Sequence, residues 1–233
     1  MAQPGTLIES EASTIPLLEQ GDHLTRDEFE RRYNAMPELK KAELIEGVVY
    51  MASPVRLPQH GQPHGIVMGW LSVYWGFTPG LFFGDNVSIR LIGDEMPQPD
   101  ALLMIKQANG GQASLGADGC IEDAPEFVVE VASSTASIDL NAKFRAYQRN
   151  GVREYMVWRV LDRAIDWFVL RDGKYHRLEP GADGIYRSVV FPGLWLDVEA
   201  LLAENFPRIL EVLHQGIAHT DHTAFVARLN PTA

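Results

Sequence analysis

A single cysteine, Cys120, stands in a chain of 233 residues. That excludes an internal disulfide and any zinc or iron–sulfur site built from several cysteines. Long apolar runs are missing as well; none approaches the roughly 20 residues that a membrane-crossing helix needs. The first residues have neither the basic start nor the apolar core of a secretory signal. The expectation is a cytoplasmic protein with no membrane partner. Basic residues are scarce: 20 Lys and Arg face 31 Asp and Glu, a net charge of -11. Broad electrostatic binding to nucleic acid relies on Lys and Arg neutralising phosphates, so this balance disfavours it. A local basic groove or a metal-bridged contact with phosphate stays open. There is no internal repeat and no low-complexity tract. Gly110-Gly111 is not followed by the Gly-Lys-Ser/Thr of a phosphate loop.

Hydrophobic residues make up 46% of the chain, enough to bury a real core without staples. Residues 1–22 mix Pro, Ser, Thr and Glu without a period and are expected to be a loose leader. The main domain is expected over 23–203, with a helical extension over 204–233. Thr25 and Glu28 match a capping box, so a helix is predicted from there to about Asn34. Glu43–Ala52 reads as a strand or hairpin bending at Gly47. In His64–Trp75 the apolar residues Val67, Trp70, Leu71, Tyr74 and Trp75 have helical spacing. Ala101–Ile105 and Phe127–Val131 are short apolar runs of the kind that form central strands. A helix then runs to Asn150 and stops at Gly151. Paired strands follow at Glu154–Leu161 and Ala164–Leu170, with shorter ones near 175–178 and 186–191. From Asp197 the pattern is helical. The order predicts an α/β (α+β) domain with a mixed central sheet flanked by helices.

Three acids stand inside the predicted β segments. Period two places Glu46 on the face of Leu44, Val48 and Tyr50. Asp100 opens the apolar strand ALLMI, and Glu130 lies inside FVVEVA. A carboxylate at such a place must be paired, protonated or bound to a cation, because burying it alone costs several kcal/mol or more. Any one of them is accounted for by an ion pair. Three on neighbouring strands would form one repelling cluster that calls for a hard cation, and oxygen-only ligation points to Mg2+ or Mn2+. Lys143 borders the apolar face of the following helix (Ala136, Leu140, Phe144, Tyr147). It is read either as a lysine whose stem covers the core or as a group that orients a water or stabilises a developing phosphate charge.

The blocks ELIEGVVYMASP, QPDALLM, APEFVVEVASSTAS and KFRAYQRNGVREYMVW resemble the Uma2 family. That family is catalogued as a domain of unknown function and labelled as candidate restriction endonucleases. The resemblance runs from about Thr25 to Leu202 and implies a restriction-endonuclease-like, PD-(D/E)xK nuclease fold. On it, Asp100 is the first metal-binding acid, Glu130 the second, and Glu46 the additional acid. Ala132 stands where the pattern has its lysine; the resemblance implies that Lys143, from the next helix, supplies it. The implied activity is endonucleolytic hydrolysis of DNA with Mg2+ (or Mn2+) on Asp100, Glu130 and the Val131 carbonyl. A homodimer is implied as well, since two strands need two cuts. The acidic charge and the missing strand lysine favour the alternative, a non-catalytic binding or assembly module.

His60 and His64 are four apart, but Gly61 and Pro63 between them argue against one continuous helix. His64 is read as a cap or a groove-facing residue. His214, His219 and His222 are read as surface residues.

Overall fold

Thr25 caps helix α1 (Arg26–Asn34), its hydroxyl accepting from the Glu28 amide. Glu28 does not return the bond; it pairs with Arg31 and Arg32, so the capping box is only half made. The computed structural model of the chain describes residues 15–51 and 56–230. Most of the expected leader, and residues 52–55, lie outside them.

Strands β1 (Ala42–Ile45) and β2 (Val48–Met51) form a hairpin. Its turn is Glu46-Gly47, both at positive φ (53° and 74°). Glycine adopts that conformation freely, whereas a glutamate there is uncommon. A π-helical turn (Leu57–Gly61) leads straight into helix α2 (Gln62–Gly76). The path is continuous because Pro63 sits in the first turn, where its missing N–H breaks no helical bond. The break expected between His60 and His64 is therefore absent.

Strand β3 (Leu81–Gly84) is followed by β4 (Ile89–Arg90) and β5 (Ala101–Ile105). Between β5 and the next long strand lie two short strands, β6 (Ser114–Leu115) and β7 (Ile121–Glu122), which join β4 in a small sheet. Then come β8 (Phe127–Ala132), helix α3 (Ala136–Ile138), a π turn (Asp139–Lys143) and helix α4 (Phe144–Asn150). Gly151 ends the last at φ 85°. Strands β9 (Glu154–Arg159), β10 (Ala164–Arg171) and β11 (Lys174–Arg177) meander antiparallel to one another. Strand β12 (Ile185–Arg187), where a short strand near 186–191 was expected, pairs with β13 (Trp195–Asp197) in a separate two-stranded sheet. Helices α5 (Val198–Leu202), α6 (Phe206–Ile217) and α7 (Thr220–Leu229) close the chain.

The central sheet has six strands in the order β11-β10-β9-β8-β5-β3. Only β8 and β9 run parallel, so the sheet is mixed. Every residue of β5 and β8 is buried, as their apolar runs predict. One face carries Phe127, Val129 and Val131 against Trp70, Trp167 and residues of α6. Each large apolar side chain buried there contributes about 1.5–3 kcal/mol. The other face carries Val128 and Ala132 against Tyr147 and Tyr155. His222, read as a surface residue, is buried and hydrogen-bonded to Thr78. Among the described residues no helix is long and apolar enough to cross a membrane.

Candidate active site

Strand parity decides where the acids point. In β8, Phe127, Val129 and Val131 face the α2 side, so Glu130 faces the side of α3 and α4. In β5, Ala101 and Leu103 face α2, so Asp100, one residue before the strand, faces the same side as Glu130. The antiparallel register pairs Ala101 with Val129. Continued by one residue, it sets Asp100 opposite Glu130. The Val131 amide donates to Asp100 Oδ2 at 2.8 Å and fixes that carboxylate.

Helical spacing on the segment after β8 supplies the partner. Lys143 projects back over the sheet and is buried. Its Nζ lies 2.8 Å from Glu43 Oε1, 3.0 Å from Glu130 Oε1 and 3.7 Å from Asp139 Oδ1. Tyr147, one turn on, donates its hydroxyl to Glu130 Oε1 at 3.0 Å. Glu43 also accepts from the Gln98 amide at 2.7 Å. A second lysine, Lys41, lies 3.0 Å from Asp100 Oδ1. The two lysines differ in access: the Lys41 side chain is 22% exposed and the Lys143 side chain 5%.

The charges set the protonation. Burial pushes the Asp100 carboxyl up, but Lys41, Lys143, His60 and the Val131 amide outweigh it and hold it below its ordinary value. Burial drives Glu130 well above the usual carboxylate range; Lys143 opposes this, while Asp139, Asp100 and Glu43 add to it. Burial also raises Asp139, whose Oδ2 has no hydrogen-bond partner. Burial alone would lower Lys143, but the surrounding carboxylates keep its ammonium charged. The cluster thus holds four carboxyl groups against two ammonium groups, and burial shifts Glu130 and Asp139 toward their protonated forms.

These groups line a cleft of about 1300 Å³. Its rim carries Arg56, His60, His64, Ser133, Ser134 and Thr135. His60 and His64 stack, their centroids 5.6 Å apart and their planes 11° off parallel. The His60 Nδ1 donates to the Val131 carbonyl at 3.0 Å. A second hollow, about 410 Å³ near Arg153 and Arg228, is lined by no carboxylate.

The fold brings Asp100, Glu130 and Lys143 together. It does not bring Glu46. The hairpin turns at Glu46, so the period-two rule fails there, and the carboxylate pairs with Arg145 and Arg149 outside the cleft. Glu43, three residues earlier, occupies the place expected of Glu46. Sequence reasoning also missed Asp139, Lys41 and His60. Asp139 stands four before Lys143 on one helical face, a signal that was available. Lys41 directly precedes β1 and His60 lies in the π turn before α2, and neither carries a periodic signal.

The donors suit a hard dication in kind: the Asp100 and Glu130 carboxylates, and the partnerless Asp139 oxygen beside them. Among the described residues no three His, Cys, Asp or Glu are gathered closely enough to close on one ion. The ammonium groups of Lys41 and Lys143 stand among these carboxylates instead. The Val131 carbonyl, expected as a further ligand, is engaged by His60.

Comparison with known proteins follows the same line. The profile of the Uma2 family, described as "Putative restriction endonuclease", matches residues 26–199. A solved structure from Anabaena variabilis, titled a "putative nuclease belonging to DUF820", shares the fold at a TM-score of 0.57 and 15% identity. The alignment covers 77% of this chain and 98% of that one. No curated protein matches the chain.

Proposed function

Because this chain belongs to the Uma2 family, we propose that it is a divalent-metal-dependent endonuclease hydrolysing DNA phosphodiester bonds in the cleft at Asp100 and Glu130. One observation carries the reading. Two acids on adjacent strands face one open cleft, with a buried lysine from the next helix against the second of them.

Asp100 and Glu130 would hold Mg2+ or Mn2+, which when bound supplies charge stabilisation at the phosphate and a water activated near neutral pH. Asp100 is already ionised and clamped by the Val131 amide. Burial favours the protonated form of Glu130, which must be ionised to bind a cation, so metal affinity rises with pH. Lys143 keeps Glu130 and Glu43 oriented and acts as a positioning residue. Lys41 is exposed enough to reach a phosphate oxygen. The hydroxyls of Ser133, Ser134 and Thr135 at the rim can receive the flanking backbone. Cutting both strands of a duplex needs two such clefts, so the reading includes a homodimer.

A second reading has its own support: Lys143 already neutralises its carboxylate partners within the protein. On that reading the chain is a nuclease-fold binding or assembly module. Incubation of supercoiled plasmid with the wild type and Asp100→Asn, in Mg2+ and in Mn2+, separates the two. Nicking by the wild type alone is expected. Metal binding without nicking by the wild type would favour the module.

A further inference from the structure

We propose that Lys41, aimed by Asn86, is the catalytic lysine that meets the scissile phosphate in this cleft, and that Lys143 is not. The proposal rests on the nuclease reading above and names the residues that would stabilise its transition state.

The two lysines differ in the donors they have left. An ammonium carries three N–H groups and no acceptor. Lys143 is ringed by Glu43 at 2.8 Å, Glu130 at 3.0 Å and Asp139 at 3.7 Å, and its side chain is 5% exposed. Its charge is taken up by the protein's own anions. Lys41 Nζ donates to Asn86 Oδ1 at 2.6 Å and to Asp100 Oδ1 at 3.0 Å. Its third N–H has no partner among the described residues, and the side chain is 22% exposed in the wall of the cleft. That donor stands beside the acid to which the nuclease reading gives the cation, where a phosphate must approach.

Asn86 gives the ammonium its direction. It stands between β3 and β4 at φ 53°, a left-handed conformation that asparagine tolerates better than most residues. Such strain persists where the surroundings hold it, and it gathers at working sites. The Asn86 amide nitrogen donates to Asp85 Oδ1 at 2.6 Å, so its oxygen is the atom turned to Lys41. Asp85 is met in turn by His64 Nε2 at 3.2 Å. Segments before β1, after β3 and before β5 thus converge on one ammonium. A lysine serving only as counter-ion to Asp100 needs no second anchor of this kind.

In hydrolysis a water oxygen bonds to phosphorus and its proton passes to solvent. The bond to the leaving sugar oxygen breaks with its electron pair, and that oxygen takes a proton from water. Negative charge grows on the non-bridging oxygens in between, and a fixed cation beside them stabilises it. Lys41 keeps its proton throughout and supplies one hydrogen bond to such an oxygen.

The test uses the full chain, supercoiled plasmid, and Mn2+ or Mg2+, with nicking followed under single turnover. In Lys41→Met the maximal rate should fall about 100-fold or more while half-saturation changes little. Asn86→Ala should lose less, about tenfold, because Lys41 remains but is no longer aimed. The double variant should nick no more slowly than Lys41→Met, since Asn86 acts through Lys41. Calorimetry should show Mn2+ affinity kept or raised in Lys41→Met, where a competing cation has left Asp100. Thermal melts confirm that each variant is folded. A folded Lys41→Met that nicks at the wild-type rate overturns the proposal. So does a loss of nicking matched by an equal loss of Mn2+ affinity, which would make Lys41 a support for Asp100 alone. Losses that multiply in the double variant overturn the link to Asn86. Should Lys41→Met fail to fold, Asn86→Ala decides, and an unchanged rate there overturns the proposal. In all these cases the wild type still nicks, and the nuclease reading stands. If the wild type nicks in neither ion, both fail.

Discussion

The Val131 amide donates to Asp100 Oδ2 at 2.8 Å, just where the ladder between two central strands ends. The bond satisfies a buried amide and orients the carboxylate by the same contact. Asp100 is thereby fixed by backbone. Glu130, its neighbour across the register, is held only by the side chains of Lys143 and Tyr147. One acid is clamped and held below its ordinary value, and the other is pushed well above it by burial. Groups of one type pushed apart in protonation by their surroundings mark functional sites more often than structural ones.

That contrast predicts that Glu130→Gln stabilises the metal-free protein. Burial raises the Glu130 carboxyl well above the value it has in the unfolded chain. For an acid with raised pKa, folding stability falls as pH rises from the ordinary carboxylate value through the folded one. Glutamine removes the liability. In EDTA at pH 8 the variant should gain about 1 kcal/mol or more over wild type, a gain that shrinks toward pH 5. Urea midpoints at the two pH values check this. A net loss at pH 8 would mean that Glu130 is ionised and well paired. Metal binding should be lost in the same variant.

Lys143→Met should act in the opposite direction. It leaves Glu43, Glu130 and Asp139 facing one another without their shared ammonium. Breaking a buried ion pair from one side costs about 3–5 kcal/mol. The loss should be largest at neutral pH and smaller near pH 5, where the carboxyl groups can take up protons. Denaturant unfolding at both pH values gives the comparison. A change below about 1 kcal/mol at neutral pH would place the Lys143 amine in water, outside the cluster.

The site was half legible in the sequence, and the reasons differ by residue. Asp100 and Glu130 interrupt short apolar runs, and such runs become fully buried strands, so an acid inside one stands out. Lys143 follows from helical spacing that the π turn disturbs too little to hide. Glu46 misled because alternation was carried through a residue next to the bend expected at Gly47; the positive φ at Glu46 and Gly47 shows that both turn the chain. Glu43 gives little contrast because its apolar run is only four residues long and is flanked by Lys40, Lys41 and Glu46. His60 was masked by Gly61 and Pro63, which usually break helices but are tolerated in a first turn. Lys41 enters the cleft only through tertiary packing.

The exchange of Glu43 for Glu46 can be tested with a matched pair of variants. A hydrogen bond from Arg145, opposed by burial and reinforced by one from Arg149, holds Glu46 down at about 2. An acid with lowered pKa adds stability above the ordinary carboxylate pKa, and that share is lost as pH falls through the folded value. The arginines are about half exposed, so solvent screening limits the share to at most about 1 kcal/mol. Glu46→Gln should therefore lose that much at pH 7 and nothing at pH 2, with metal binding and cleavage unchanged. Glu43→Gln keeps its acceptor for the Gln98 amide but removes one of the anions that face Lys143. Metal affinity, read by calorimetry, and plasmid nicking should both fall in that variant. The reverse pattern, with cleavage lost in Glu46→Gln and kept in Glu43→Gln, would move the working acid to the hairpin turn. It would require α4 to release Arg145 and Arg149 before the cleft could act.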